Sequence, residues 1–340
     1  MDVKNNQTKK SESQRTRQSG RDLKRMATAA EMYYEGRYSQ KEIGKALKCS
    51  PMEVSRLLKE AREHGIVKFQ IYHPEKSLRE ALIERFSLRD ARVSHIFPDA
   101  EQTREALALE AARLFDEFVA NSHSGSGITV GVSGGRTIHK MVDLLKPLPR
   151  QIDIYPLTGI WRDLQINYVD SGVLVHSLWL KCKDAARAFW FPIEPLDHFK
   201  RAKTVREQRK RYLQNPQIKE IYEAANNVDV AFLGVGPVRE HSSTIRQLKS
   251  IEITYETLKE KSAVGIAAGV WYNRKAKPVI PDYFLSVPLT TFQKLASDIT
   301  KRVVIVAGGD EKIEAIRVLL ENKMCNVIVT DNRTAALLLQ

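Results

Sequence analysis

The chain has 340 residues, of which 43% are hydrophobic and 28% charged, a composition typical of a globular protein with room for one small and one large domain. No apolar run approaches the about 18 residues that a bilayer-spanning helix needs, and the first residues lack the apolar segment of a signal peptide. We therefore expect a cytoplasmic protein without a membrane partner. The 3 cysteines lie far apart in the sequence, which suits a reducing compartment and gives no metal-binding spacing.

Positive charge is concentrated in the N-terminal part of the chain. The net charge is +13, and residues 1–73 carry 16 Lys and Arg against 9 Asp and Glu. Such an excess favours a polyanionic partner, although it can also serve only to keep a protein soluble. Residues 1–21 are polar, basic and poor in apolar side chains, so we predict a disordered tail that is either solvated or in contact with phosphates.

Residues 22–73 have the pattern of a helix-turn-helix DNA-binding domain. A first helix is predicted from residue 22 to Gly36, a residue type that favours helix ends. Two further amphipathic helices flank a break at residues 48–50. Their apolar positions are Ile43, Leu47, Val54, Leu57 and Leu58. Two short helices joined by such a turn can present the second helix to the major groove of double-stranded DNA.

The residues around the break support this interpretation. Gly44 supplies the small side chain that crossing helices need, Ser50 is a helix N-cap, and Pro51 suits the first helical position. Lys48 stands where glycine is usual, because the backbone of this turn tends towards positive φ, and this weakens the motif without excluding it. The predicted DNA-contacting residues are Gln40, Ser50, Met52, Ser55, Arg56 and Lys59. The alternative is an ordinary helical hairpin whose basic side chains are only solvated.

The next segment connects this domain to a larger one. Residues 66–72 alternate between apolar and polar side chains and predict a strand, which would form the wing of a winged helix-turn-helix, with Lys68 as a phosphate contact. We expect residues 74–90 to form a linker with a connecting helix, and residues 91–340 to form the large domain.

The large domain alternates apolar, β-branched segments with helical ones. Continuous apolar runs of this kind are typical of buried parallel strands, so we predict an α/β fold with ligands at the carboxyl ends of its strands. The predicted strands are residues 91–95, 128–132, 152–157, 188–191, 228–235, 284–287, 303–307 and 326–330.

Three glycine-bearing turns directly follow predicted strands. They are residues 132–137, 233–236 and 306–312. Glycines let a ligand approach the backbone, and the free amides at a helix start bind anions. Arg136 and Lys312 add positive charge and Thr137 adds a hydroxyl, so the sequence favours a small anionic ligand. The alternative is that these glycines serve packing alone.

No catalytic motif is recognisable in the sequence. The chain has no GxSxG, Walker A or HExxH motif, and its 8 histidines have no Cys or carboxylate at catalytic spacing. Asp229 opens a predicted buried strand and is either a structural residue or a catalytic acid. We predict no catalytic residue, no cofactor and no metal site, and we expect a binding protein. The alternative is a sugar-phosphate isomerase or deaminase with a DNA-binding appendage.

Both halves of the sequence resemble SorC-type transcriptional regulators, a family that includes deoxyribonucleoside and central glycolytic repressors. The resemblance extends from about residue 24 to residue 339. At the N-terminus it rests on YYEGRYSQKEIGKALKCSPMEVSRLLKEAREHGIV. At the C-terminus it rests on GVSGGRTI, DVAFLGVG, SAVGIAAGVWYN and VVIVAGGDEKIEAIRVLLENKMCNVIVTDNRTAALLL.

This resemblance implies a small winged helix-turn-helix domain and a Rossmann-like effector domain similar to sugar-phosphate isomerases. Such a protein senses a phosphorylated sugar or polyol without turning it over. The resemblance also implies that Gly134, Gly135, Arg136 and Thr137 form a phosphate loop and that Lys312 reaches the phosphate. Members of the family commonly oligomerise through the large domain, so we expect a homodimer or homotetramer that binds operator DNA.

The implied effector site departs from the family pattern at three positions. Ile266 replaces an acidic residue that contacts sugar hydroxyls, and isoleucine cannot accept those hydrogen bonds. Thr158 and Tyr168 stand where some members have arginine and glutamine. Gly159 and Gly236 complete the predicted site. The effector is therefore either an unusual sugar or polyol phosphate, or the pocket has drifted away from ligand binding.

Overall fold

A computed structural model of the protein describes most of the chain. It divides into two compact units, Met1–Ile71 and Tyr72–Gln340. The described residues are 22–67, 76–120, 127–147, 151–159, 170–182, 186–191, 202–240, 242, 245, 253–282 and 285–340.

The described part of the small unit contains three helices around one apolar core. Helix α1 spans residues 22–34, α2 spans Gln40–Leu47 and α3 spans Pro51–Glu63. The apolar stripes of all three helices meet in a single buried cluster. The cluster contains Met26, Ala29, Ala30, Ile43, Val54, Leu57, Leu58 and Ala61. The helices therefore lie where the sequence predicts them.

Side chains satisfy the free amides at the start of α2 and of α3. Ser39 and Glu42 form a capping box at the start of α2, in which each side chain accepts a hydrogen bond from the backbone of the other residue. The Ser50 hydroxyl caps α3 by accepting a hydrogen bond from the Glu53 amide at 3.1 Å. Pro51 occupies the first helical position, where no amide donor is needed.

The turn between α2 and α3 is tight and has little steric freedom. Lys48 is left-handed, with φ 53°, as the sequence predicts for this position. A Cβ on Gly44 would lie 2.7 Å from the carbonyl oxygen of Cys49. Because that neighbour is backbone, it cannot move aside cheaply, and the close approach of the two helices requires glycine.

The predicted wing falls mostly outside the described residues. Ile66 and Val67, which the sequence assigns to the wing strand, form a bend after α3, and the Val67 amide donates to the Ala61 carbonyl at 3.0 Å. This hydrogen bond turns the chain back onto α3. Residues 68–75, with Lys68, and the tail predicted for residues 1–21 are not among those described.

The large unit is built on a nine-stranded sheet. Its strands are β1 Asp90–Ser94, β2 Ile128–Val132, β3 Ile152–Pro156, β4 Ala186–Ala188, β5 Val230–Pro237, β6 Ala263–Ala267, β7 Val270–Asn273, β8 Arg302–Val306 and β9 Val327–Asp331. Its described helices are α4 Lys76–Phe86, α5 Ala100–Ala120, α6 Arg136–Leu144, α7 Ser171–Cys182, α8 Ala202–Gln214, α9 Pro216–Ala225, α10 Tyr255–Glu260, α11 Leu289–Ser297, α12 Ile313–Glu321 and α13 Asn332–Leu339, with a 3₁₀ turn at Asp310–Lys312.

Seven of these strands pair in parallel in the order β1-β9-β8-β5-β2-β3-β4. From β2 the chain adds β3 and β4 on one side, and it then crosses to the other side of β2 to form β5. The carboxyl ends of β2 and β5 are therefore a topological switch point. Connections leave such a point in opposite directions, which opens a crevice for a ligand.

Alternate side chains of the sheet pack into two separate apolar layers. On β8, Val303 and Ile305 join one buried cluster, whereas Val304 and Val306 join the other. Both faces of the sheet are thus covered, as parallel sheets require. The predicted connecting helix, α4, packs into the first cluster through the fully buried Leu82, so it contributes to the core of the large unit.

The structure corrects three points of the prediction for the large unit, namely one strand, one turn and one hairpin that the predicted strands lack. Residues 285–287 form no strand, because the left-handed backbone of Leu285 (φ 51°) interrupts an extended chain. The segment 233–236, predicted as a turn, lies inside β5, which continues beyond the parallel sheet to pair antiparallel with β6. The β6–β7 hairpin is missing from the predicted strands, since alanine and glycine give a weak strand signal.

We expect Lys48→Gly to stabilise the small unit, because glycine adopts a left-handed backbone without the steric cost of about 1 kcal/mol that a Cβ carries. Lys45→Gly, at an exposed helical position of α2, should destabilise the unit by about 1 kcal/mol. Hydrogen exchange of residues 40–63, followed by mass spectrometry, should be slower in the first variant and faster in the second. Unchanged exchange in Lys48→Gly would show that the left-handed lysine carries no strain.

Candidate functional site

The outward face of α3 carries most of the predicted DNA-contacting side chains. The exposed residues on this face are Met52, Ser55, Arg56 and Lys59. Arg56 lies 3.7 Å from Glu60, and Lys59 lies 3.7 Å from Glu63. Exposed pairs of this kind are worth only about 0.3–0.5 kcal/mol, so both cations can exchange these partners for phosphates or bases at little cost.

The two remaining residues predicted to contact DNA, Gln40 and Ser50, do not lie on the outward face of α3. Gln40 is half-buried and is the first residue of α2. Ser50 is exposed, but its hydroxyl oxygen already accepts the Glu53 amide as the cap of α3. The main role of Ser50 is therefore to cap α3, and any contact that it makes with DNA is secondary to that role.

The predicted phosphate loop lies at the topological switch point. The Ser133 hydroxyl accepts a hydrogen bond from the Gly234 amide at 2.9 Å and donates to the Gly134 carbonyl at 3.2 Å, so it joins the ends of β2 and β5. Gly135, with φ 138°, is the N-cap of α6 and has no side chain to satisfy the first amides of that helix. Those amides, beginning with Arg136 and Thr137, are available to an anion.

Lys312 lies beside this loop among other cations. Burial lowers the pKa of its ammonium group below the ordinary value; Glu311 opposes this effect, whereas Arg104, Arg136 and Arg239 reinforce it. The ammonium group makes no hydrogen bond or salt bridge with the other residues that the structure describes. A partly desolvated cation without a partner is unfavourable, and a bound anion would offset that loss of hydration.

Lys312 and the three arginines near it come from four different elements. Arg104 lies on α5, Arg136 opens α6, Arg239 follows β5, and Lys312 ends the 3₁₀ turn after β8. Two carboxylates partly offset them, because Glu101 pairs with Arg104 and Glu311 lies 4.0 Å from Arg239. The adjacent Arg333–Asp310 pair is neutral. The cations of this cluster therefore outnumber the carboxylates that pair with them.

Sequence reasoning missed Arg104 and Arg239. Arg239 comes two residues after the end of β5 at Pro237, so the rule that ligands bind at carboxyl ends of parallel strands could have found it. Arg104 lies in a long helix among other charged residues, and nothing in the local pattern distinguishes it. Its proximity to the loop depends on how α5 packs.

Two of the predicted effector residues, Thr158 and Gly159, follow the neighbouring strand β3. Thr158 is buried, and its hydroxyl lies 3.1 Å from the Ser286 hydroxyl and 3.4 Å from the Gly159 carbonyl oxygen. A Cβ on Gly269 would lie 2.5 Å from the Thr158 hydroxyl oxygen, so glycine is required above this pair. Tyr168, also predicted in the site, lies outside the described residues.

Ile266 and Gly236 face each other across the β5–β6 pairing. They are direct register partners, and a Cβ on Gly236 would lie 2.8 Å from Ile266 Cγ2. Ile266 packs against a small apolar cluster that includes the buried Trp271. The position at which the family pattern has an acid is therefore occupied here by a packing side chain.

Comparison with known proteins identifies the family. The family model described as "Putative sugar-binding domain" matches residues 72–340, which is the whole large unit. The chain belongs to this sugar-binding family. The match agrees with the resemblance to SorC-type regulators that the sequence motifs indicate.

Relatives of this sugar-binding protein align over nearly all of their length. The chain is 26% identical to the deoxyribonucleoside regulator of Bacillus subtilis over 318 residues, covering 90% of this chain and 94% of that protein. It is 24% identical to the sorbitol operon regulator of Klebsiella pneumoniae over 336 residues, covering 94% and 98%. The crystal structure of full-length SorC from Klebsiella pneumoniae has the same fold, with a TM-score of 0.73 at 22% identity, covering 93% of this chain and 98% of that one.

Sequence reasoning also missed a buried carboxylate near the predicted phosphate loop. Asp170 is only 8% exposed, and burial raises the pKa of its carboxyl group to about 7. The next residue, Ser171, donates its hydroxyl to the Val132 carbonyl at 2.7 Å, immediately before the phosphate loop. Asp170 is thus close to the crevice, and its carboxylate is unbonded among the residues that the structure describes.

The described residues contain no group of side chains that could hold a metal ion, and none of the described helices is long and apolar enough to cross a membrane. Asp229, considered above as a catalytic acid, lies at the amino end of β5, away from the crevice. Its carboxylate accepts hydrogen bonds from the Thr129 amide at 2.9 Å and hydroxyl at 2.7 Å. These bonds tie β5 to β2 and give Asp229 a structural role.

We expect Asp170→Asn to stabilise the protein, and to do so more at higher pH. The folded-state pKa is raised to about 7, so the folded state retains a proton that the unfolded chain loses near its ordinary pKa of 3.8. Wild-type stability therefore falls as the pH rises between these values, by an amount on the order of a few kcal/mol, and the amide lacks this penalty. Tm should rise more for the variant at pH 8 than at pH 5.

Asp298→Asn is the control for this experiment, because hydrogen bonds from Thr300 lower the pKa of the exposed Asp298 carboxyl group. Its Tm difference from wild type should not grow between pH 5 and pH 8. A constant difference for Asp170→Asn would show that this carboxyl group is not perturbed by burial.

Proposed function

We propose that this protein is a DNA-binding transcriptional regulator of a carbohydrate or polyol catabolic operon, and that a phosphorylated sugar or polyol modulates its affinity for operator DNA. The helix-turn-helix geometry of the small unit, the sugar-binding family of the large unit and the full-length similarity to operon regulators support this proposal. The names of the deoxyribonucleoside regulator and the sorbitol operon regulator both join regulation to a sugar-containing compound or a polyol.

The ammonium group of Lys312, unpaired among the described residues and near three arginines, is the observation that carries the effector proposal. A phosphate monoester has a charge of about −2 at neutral pH and three strong acceptor oxygens. The start of α6 supplies backbone amides, and Arg136, Arg239 and Lys312 supply cations around it. These cations and amides suit a phosphate group better than an uncharged sugar.

The remainder of the effector would lie beyond the phosphate, towards the ends of β3 and β5. Asp170 can accept hydrogen bonds from sugar hydroxyls, whereas Ile266 offers only apolar contact. Ile266 also supports a second candidate, a DNA-binding regulator whose pocket no longer binds an effector. The unpaired Lys312 favours the first candidate, since an empty pocket would keep its energetic cost without benefit.

Effector binding would act on DNA binding by a population shift. Operator half-sites are bound by paired helix-turn-helix modules, so we propose that the protein acts as a homodimer or homotetramer. An effector that binds one arrangement of subunits more tightly than another would change the separation of these modules. The sign of regulation depends on where the operator lies, and both repression and activation fit this mechanism.

We expect Lys312→Met to raise the Tm of the free protein, because a half-buried, partly desolvated cation without a partner is removed. In the same variant, the Tm increase produced by sugar monophosphates or polyol monophosphates should disappear, since their contact is lost. A thermal-shift screen with these compounds and with inorganic phosphate measures both effects.

The control is Lys294→Met, which alters an exposed lysine of α11 outside the cationic cluster. This variant should keep the wild-type response to every compound. If no phosphorylated sugar or polyol raises the Tm of the wild-type protein, the effector proposal fails and the altered-pocket candidate takes its place.

We expect Arg56→Ala to lose selectivity for specific DNA while the fold is retained, because a base contact made through two hydrogen bonds contributes about 1–3 kcal/mol of discrimination. Arg62→Ala removes the same charge from another face of α3 and should weaken binding to all sequences equally. Competition between selected and random DNA measures this selectivity. Equal selectivity in wild type and Arg56→Ala would contradict the assignment of the DNA-contacting face.

A further inference from the structure

Met52 is the most exposed of the large hydrophobic side chains that the structure describes, with 81% of its surface open to solvent. It is the second residue of α3 and takes no part in the apolar core of the small unit. A single exposed apolar side chain needs no special explanation, but Met52 lies among the residues predicted to contact DNA, where its apolar surface would be buried on binding.

The surroundings of Met52 are polar and positively charged. Helical spacing puts Ser55, Arg56 and Lys59 on the same face, three, four and seven residues further along. The neighbouring Glu53 is directed elsewhere, since its amide is capped by Ser50 and its carboxylate lies 4.0 Å from Arg25. A partner of this face must therefore offer an apolar group within a strongly anionic surface.

In the major groove of DNA, an apolar group within an anionic surface occurs only at the edge of thymine. Phosphates surround the groove, and the 5-methyl group of thymine is the apolar group that its base edges present. The methionine side chain has no hydrogen-bond donor and only a weak acceptor, so it cannot discriminate between the polar edges of the other bases. Its flexible, polarisable thioether instead suits contact with a methyl group.

The spacing on α3 sets the distance between the two contacts. Met52 and Arg56 are separated by about 6 Å along the helix axis, from the rise of about 1.5 Å per residue. Successive bases on one strand are about 3.4 Å apart, so this separation corresponds to about two base pairs.

We propose that Met52 recognises the 5-methyl group of a thymine about two base pairs from the base that Arg56 contacts. That base is expected to be guanine, because its O6 and N7 atoms accept two hydrogen bonds from an arginine. This inference rests on the proposed DNA-binding function and specifies the base chemistry of the operator. Met52 is then a specificity-determining residue, because replacing that thymine by any other base removes its apolar contact.

The test begins with selection of duplexes from a random-sequence DNA library by the intact wild-type protein. Thymines in the selected duplex are then replaced one at a time by deoxyuridine, which lacks only the 5-methyl group. The guanine contacted by Arg56 is identified as the one whose replacement weakens binding of the wild-type protein but not of Arg56→Ala. Deoxyuridine about two base pairs from that guanine should weaken wild-type binding by about three- to five-fold, the value of one buried methyl group.

The same replacements are then measured with Met52→Ala, whose fold is checked by circular dichroism. This variant should bind the thymine duplex more weakly than wild type and should respond to deoxyuridine by less than about 1.5-fold, since its methyl contact is already absent. Met52→Leu, which keeps an apolar side chain, should retain most of the wild-type response.

The outcomes separate the inference from the function on which it rests. If no duplex is enriched from the library, the DNA-binding proposal itself is overturned. If a duplex is enriched but no deoxyuridine replacement weakens wild-type binding, or if Met52→Ala responds as wild type does, the assignment of Met52 is overturned and DNA binding stands.

Discussion

The parallel pairing of β2 with β5 is the constraint on which the proposed effector site depends. The chain leaves β2, forms β3 and β4 on one side and then returns to the other side, so the carboxyl ends of β2 and β5 meet where their connections diverge. The Ser133 hydroxyl holds the two ends together through the Gly234 amide. This geometry aims the amides at the start of α6 into the crevice and places Arg239 and Lys312 around it.

Two ionisable groups of the large unit, Asp170 after the end of β3 and Lys312 after the end of β8, are disfavoured by burial in their charged forms. The pKa of Asp170 is raised, that of Lys312 is lowered, and neither group has a hydrogen-bonded partner among the described residues. A site of this kind is maintained at the expense of folding stability. A ligand that supplies a phosphate to the lysine and hydroxyls to the carboxyl group would recover that free energy, which is how effector binding could select one conformation of the protein.

The small unit meets a different constraint, which is the close approach of α2 and α3. The left-handed Lys48 and the contact between Gly44 and the Cys49 carbonyl fix the angle at which α3 leaves the turn. One face of α3 is buried in the core, so the opposite face, with Met52 and Arg56, is presented to solvent. The side chains available for DNA therefore follow directly from the packing of three short helices.

The sequence by itself determined the elements whose signals are local. Local signals of this kind are the helix cap Ser50, the small residue Gly44 and the apolar runs of the parallel strands. Each affects only residues close to it in the sequence, so the helix-turn-helix and the α/β class could be predicted. Only the tertiary structure decided which charges meet. Arg104 and Arg239 come from elements far apart in the chain, and their approach to Lys312 arises from strand order and helix packing, which local residue patterns do not encode. The burial of Asp170 has the same origin.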